Sequence, residues 1–151
     1  MRKRAVLWGM VVLVTFAAMA QAPVARPSLG VGMQSTLPAV FGISVRYWAT
    51  PDRGFEGDLF LITFDGQPYG MAAARALARA AATESASFYV AGGASLLFPD
   101  ENFLAHLCGG IELALPFAPS LALNTEFGLT WARDGGWGMA FGTGIHFYFG
   151  L

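Results

Sequence analysis

The sequence predicts an all-β fold. Eight antiparallel strands run up and down and close into a transmembrane barrel that carries its apolar residues on the outside. Three observations lead there. First, Trp137 to Phe149 alternates with a period of two. Trp137, Met139, Phe141, Thr143, Ile145, Phe147 and Phe149 fall on one face, and Gly138, Ala140, Gly142, Gly144, His146 and Tyr148 on the other. That period is a strand's. In a water-soluble sandwich the second face would carry lysine, glutamate and glutamine; here it is small, as befits a narrow interior. Second, the 151 residues are 55% hydrophobic with 19 glycines. Even so, beyond residue 20 no apolar run reaches the roughly 18–20 residues a membrane helix needs. Third, the charges that fall within strands share one face in every case.

The N-terminus has a separate role. Met1-Arg2-Lys3-Arg4 is a basic start, Ala5 to Ala17 is apolar, and Ala18-Met19-Ala20 is a small-x-small cleavage pattern, with Ala20-Gln21-Ala22 as a second option. Residues 1–20 are therefore expected to be a secretory signal peptide, 21–27 a short leader containing Pro23 and Pro27, and 28–151 the barrel domain. Without the signal peptide, six arginines remain against ten acidic groups, a net charge of about −4 with no lysine. Such a chain has no basic patch for nucleic acid. The single cysteine, Cys108, cannot form an internal disulfide. An exported chain without disulfides needs another closure, and a hydrogen-bonded barrel supplies one.

The strands follow in order, each justified by alternation and each ended by a turn. The first is expected over 28–34, with Leu29, Val31 and Met33 opposite Gly30, Gly32 and Gln34. Ser35 to Pro38 turns the chain. The second, 39–49, sets Phe41, Ile43, Val45 and Tyr47 against Gly42, Ser44, Arg46 and Trp48. Thr50-Pro51-Asp52-Arg53-Gly54 is a strong turn signal. The third, 55–64, has Phe55, Gly57, Leu59 and Leu61 outward, with Glu56, Asp58, Phe60 and Ile62 inward. After Asp65-Gly66-Gln67-Pro68 comes the ambiguous segment 69–82. Its Met-, Ala-, Leu- and Arg-rich core favours a helix on propensity. Context overrides this, because seven strand-like segments surround it and bacterial barrels hold an even number of strands. The fifth strand, 86–98, points Phe88, Val90, Ala94, Leu96 and Phe98 out. The sixth, 103–115, points Ala105, Leu107, Ile111, Leu113 and Leu115 out, and His106, Cys108, Gly110 and Glu112 in. The seventh, 121–131, opposes Leu121, Leu123, Phe127, Leu129 and Trp131 to Asn124, Glu126, Gly128 and Thr130. Arg133-Asp134-Gly135-Gly136 is a hairpin turn leading to the eighth.

The charges sort by position. Asp52, Asp65, Glu84, Asp100, Glu101 and Asp134 fall in turns. Arg46, Glu56, Asp58, Arg75, Arg79, Glu112 and Glu126 fall within strands, all on the inward face. Unpaired charge is tolerated neither in lipid nor in a dry core. A lumen filled by ion pairs, with His106 and His146 near them, follows, and its role is structural. An eight-stranded barrel has an interior only wide enough for side chains, which argues against an open pore. The aromatic rings gather at strand ends, where two girdles at the membrane interfaces would hold them; Tyr47, Trp48, Trp131, Trp137 and Phe149 are the expected members. No catalytic, metal or cofactor site is expected, since two isolated histidines and one cysteine do not make a metal set. Gly92-Gly93 and Gly109-Gly110 lie mid-strand, not in a phosphate-binding loop.

Gly109 to Leu115, the proline-bearing turn and Leu121 to Gly128 with Glu126 resemble the closing hairpins of small outer-membrane β-barrel proteins of the outer-membrane protein A and X type. Phe147-Tyr148-Phe149 is similar to the aromatic terminal strand that barrel-assembly machinery reads in such proteins, although Gly150 and Leu151 follow it. The resemblance implies an outer-membrane location, outer-membrane lipids and that machinery as partners, and both termini on the periplasmic side. It also admits an enzyme reading. Outer-membrane lipid A deacylases carry a His-x-Ser on one strand with a nearby glutamate, and the nearest match is His106-Leu107-Cys108 with Glu112 or Glu126. That set points inward, whereas the deacylase site faces lipid. The remaining alternative is a soluble periplasmic barrel of the lipocalin kind with a small hydrophobic ligand inside. It would require the apolar faces to line the interior.

Overall fold

The computed structural model describes residues 28–36, 41–99 and 102–150. The expected signal peptide and leader over 1–27 lie outside the described residues, as do 37–40, 100–101 and Leu151. The described chain is eight strands: β1 (Ser28–Thr36), β2 (Gly42–Trp48), β3 (Arg53–Phe64), β4 (Gln67–Ala82), β5 (Ala86–Phe98), β6 (Asn102–Leu115), β7 (Ala118–Ala132) and β8 (Gly136–Gly150). Each pairs antiparallel with its sequence neighbours, and β1 pairs with β8 from Ser28↔Gly150 to Thr36↔Gly142 to close the barrel. Closure leaves no free edge, so the ladder satisfies the backbone in a medium that offers no hydrogen bonds.

The alternation read from the sequence fixes which side chains enter. In β2 burial alternates residue by residue: Gly42, Ser44, Arg46 and Trp48 are buried, while Phe41, Ile43, Val45 and Tyr47 are exposed. Apolar side chains cover the outer wall, large ones such as Phe55, Leu107, Phe127 and Phe141 on most strands. The apolar surface is therefore outside and the polar one inside, the inverse of a soluble barrel.

Residues 67–82 form strand β4, not a helix. β4 is paired along both edges, Glu56↔Arg75 on β3 and Arg75↔Gly93 on β5, so two ladders outweigh the helical preference of its alanines. The alanines at 72, 74, 76, 78 and 80 face outward. A bulge between Arg79 and Ala81 adjusts the register beside β5.

The strands define two rims. The terminal rim carries Ser28, Gly150 and the turns near 49–52, 83–85 and 116–117. The far rim carries the β3–β4 and β7–β8 turns. At the first of these Asp65 and Gly66 both have positive φ, 49° and 73°, as a two-residue hairpin turn of this hand requires. Among the described residues the β2–β3 ladder reaches Ile43↔Leu59, while the β3–β4 ladder continues to Phe64↔Gln67. Ile62 keeps its inward parity but is exposed near the far rim.

Candidate functional site

The lumen is built from one row of cross-strand partners. Arg46 on β2 lies opposite Glu56 on β3, Glu56 opposite Arg75 on β4, and Arg75 opposite Gly93 on β5. Register thus sets a cation, an anion and a cation side by side across three strands. Glu56 bridges the two: Arg46 Nε donates to its Oε2 and Arg75 Nη2 to its Oε1. Arg46 Nη1 donates across the barrel to Glu112 Oε2 at 2.6 Å, and Arg46 Nη2 lies 3.5 Å from Glu126 Oε1. Arg75 Nη1 donates to Glu126 Oε2, and Arg75 Nε stands 3.6 Å from Asp58 Oδ2. All these side chains are almost fully removed from solvent.

Two guanidiniums among four carboxylates leave acceptors over, and two tyrosines supply donors. The Tyr89 hydroxyl donates to Glu126 Oε1 at 2.7 Å and accepts from Arg46 Nη2 at 3.3 Å; the Tyr148 hydroxyl donates to Glu112 Oε2 at 2.6 Å. Asn124 Nδ2 donates to Gln34 Oε1 at 2.9 Å and approaches the Tyr89 hydroxyl at 3.4 Å. With Gln34 included, side chains of all eight strands belong to one hydrogen-bonded set. Sequence reasoning singled out the charges and passed over Tyr89, Tyr148, Asn124 and Gln34. Their signal was present, because they share the inward parity of the acids and arginines.

Room for these groups comes from glycines directly opposite them. A Cβ at Gly93 would overlap Arg75 and the Ala74 carbonyl, one at Gly110 the Tyr89 ring, and one at Gly30 the Tyr148 ring. Each pair is a cross-strand partnership.

The remaining expected residues are distributed differently. Arg79 is inward but outside the ion-pair cluster: its guanidinium lies 3.9 Å over the Trp48 ring and its Nη1 donates to the Pro51 carbonyl at 2.6 Å. The histidines meet hydroxyls instead of carboxylates. His106 Nε2 is 2.7 Å from Ser95 Oγ and its Nδ1 is 3.2 Å from Thr130 Oγ1, while His146 Nε2 is 2.9 Å from Ser44 Oγ. Among the described residues no carboxylate bonds to the His106 ring, and Cys108 is a buried free thiol on the same inward face. Among the described residues no three His, Cys, Asp or Glu side chains gather to hold a metal ion.

Trp48 is not an outer aromatic. It is 1% exposed inside the barrel, packed edge-to-face on Tyr89 with ring centroids 6.3 Å apart. Strand parity decides this, since Trp48 follows Arg46 by two and Tyr47 takes the outward place. Tyr47 and Phe149 lie outward near the terminal rim, and Trp131 and Trp137, cross-strand partners, outward near the far rim. A lipocalin-type ligand cavity would need the space where Arg46, Glu56, Arg75, Tyr89 and Glu126 meet, so the filled polar lumen removes that alternative.

No protein-family model and no curated protein matches the chain. Solved structures do. The chain is similar to the N-terminal β-barrel domain of Pseudomonas aeruginosa OprF, with a TM-score of 0.61 and 13% identity over 82% of this chain and 97% of that one. Ail, the attachment invasion locus protein of Yersinia pestis, overlaps more loosely, with a TM-score of 0.42 and 15% identity over the same shares. The fold is the eight-stranded antiparallel barrel of outer-membrane proteins, with an interior filled by salt bridges and hydrogen bonds.

Proposed function

We propose that the chain is an integral outer-membrane protein with a structural, envelope-supporting role, that it does not conduct and that it catalyses no reaction. One observation carries this reading: a single hydrogen-bonded set of side chains from every strand fills the lumen of a barrel whose outer wall is apolar. A filled eight-stranded interior leaves no aqueous path. An apolar exterior of this extent is solvated by lipid, not water. Export through the expected signal peptide over 1–20, and assembly through the Phe147-Tyr148-Phe149 end of β8, accord with that destination. Outer-membrane lipids are its standing partners, with Tyr47, Phe149, Trp131 and Trp137 at the two interfaces.

The test is fractionation of the expressed protein together with planar-bilayer recording. Recovery in the outer membrane, faster gel migration before heating than after, and a bilayer that stays silent with the purified barrel are the expected results. Recovery in the soluble periplasmic fraction would end the membrane reading. Stable, reproducible conductance steps would end the sealed-lumen reading and leave the location intact.

A further inference from the structure

The mouth of the barrel on the terminal rim is an open cup of about 240 Å³. Trp48, Arg79, Glu112 and Tyr148 form its floor, and Ser87 and the 83–86 turn its wall. Below it the lumen network closes the barrel. The cup is open to solvent whatever surrounds the outer wall, so what it does is independent of the role proposed above.

Arg79 is the unusual member. Arg46 and Arg75 each grip two or more carboxylates. Arg79 has no carboxylate within 4.0 Å among the described residues. Its Nη1 donates to the Pro51 carbonyl, and its Nε–H is buried with no acceptor among the described residues, where its Nη2 has no hydrogen bond either. Trp48 desolvates one face of the guanidinium. The acids nearby are otherwise placed: Glu112 accepts from Arg46 and Tyr148, Asp52 accepts from the Thr50 hydroxyl, and Glu84 stands exposed on the rim. A guanidinium that no carboxylate holds, with a donor unspent, therefore lines a space open to solvent.

We infer that the cup is a binding site for a small oxyanion, a carboxylate or a phosphate, held by Arg79. The guanidinium fork matches either group two-pronged. Binding draws Arg79 across the Trp48 ring until Nε and Nη2 face the ligand together. The volume sets the size: drug-sized pockets span roughly 300–1,000 Å³, so this cup admits a headgroup or one terminal residue of a larger molecule. The sealed lumen makes it a docking point on the terminal side and not an entrance to a channel.

The test uses the mature chain folded in detergent micelles, with Trp131→Phe and Trp137→Phe so that Trp48 alone reports. Inorganic phosphate and acetate are titrated at pH 7, with chloride holding the ionic strength constant. A saturable change in Trp48 emission with either anion, weakened about tenfold or more by Arg79→Gln as the loss of a charged hydrogen-bonding partner demands, supports the site. Which anion saturates separates the phosphate source from the carboxylate source. Ser87→Leu, which fills the cup and keeps Arg79, should abolish the response in protein that still migrates as the folded form. A change no different from the chloride control, or a midpoint that Arg79→Gln leaves unmoved, overturns the inference.

Discussion

At the scale of single residues, glycine decides how the lumen is filled. Gly93 and Gly57 lie on neighbouring sides of β4 but face opposite ways. An added methyl at Gly93 would collide with the Ala74 carbonyl and Arg75, whereas one at Gly57 meets nothing nearer than the Ala73 carbonyl at 3.9 Å. Gly93→Ala is expected to destabilise the barrel by about 1–3 kcal/mol, the usual cost of overpacking. Gly57→Ala should be neutral or gain about 0.5–1 kcal/mol, because glycine weakens a strand interior. Urea unfolding of the two variants in micelles checks the pair, and equal midpoints would deny the lumen its tight fit. Outside the strands, the Thr50 hydroxyl donates to Asp52 Oδ1 at 2.7 Å and holds that carboxyl below its ordinary range. A depressed carboxyl favours the folded turn above its unfolded pKa, and the contribution fades as pH falls through the folded value. Thr50→Ala should move the Asp52 titration upward in carbon-detected NMR, and an unmoved titration would assign the shift elsewhere. Trp48 marks what single residues did not disclose. A large ring at a strand end reads as an interface anchor until parity is allowed to overrule it.

At the scale of elements, β4 was the least legible, and the reason is specific. Met71 to Arg79 has the composition of a helix, and nothing local contradicts it. What contradicts it is the partner on each edge, which only the closed sheet supplies. The two arginines of β4, four residues apart, also read alike in the sequence and differ in the structure. Arg75 satisfies Glu56 and Glu126, while Arg79 rests on Trp48 at the mouth. Removing Arg75 strands buried carboxylates, so Arg75→Met is expected to cost about 3–5 kcal/mol. Arg79→Gln breaks no ion pair and gives up only the Trp48 contact and the Pro51 hydrogen bond, so it should cost less, about 1–2 kcal/mol. Comparable losses in the two urea midpoints would mean that Arg75 is not the keystone of the cluster. The outward alanines offer the converse test. Ala74→Val adds strand preference and apolar area at a site facing outward, and should raise the midpoint by up to about 1 kcal/mol; a fall would show that the wall needs small residues there.

At the scale of the whole molecule, the fold was legible because a barrel repeats one rule on every strand. Strand starts and ends read from turn residues differ from the observed ones by no more than about three positions, within the spread expected where ends fray. The inward face of each charged residue followed from counting by twos. The pairings across the lumen did not. Arg46 reaching Glu112 and Arg75 reaching Glu126 depend on how the barrel closes, which no single strand encodes. The same rule makes a sharp demand on the exterior. If lipid solvates the wall, an arginine there must cost according to depth, not according to exposure. Leu107 on β6 and Phe117 on the β6–β7 turn are both exposed, 60% and 84%. In water neither substitution would matter, and the more exposed one would matter least because it is solvated best. In a bilayer Leu107→Arg, mid-strand, is expected to lose about 2–4 kcal/mol, while Phe117→Arg at the rim loses about 0–1 kcal/mol. Reversible folding into lipid vesicles measures both. Because Leu107 touches none of the lumen charges, a loss there has no source but the surrounding hydrocarbon, and a vanishing difference between the two sites would place the wall in water.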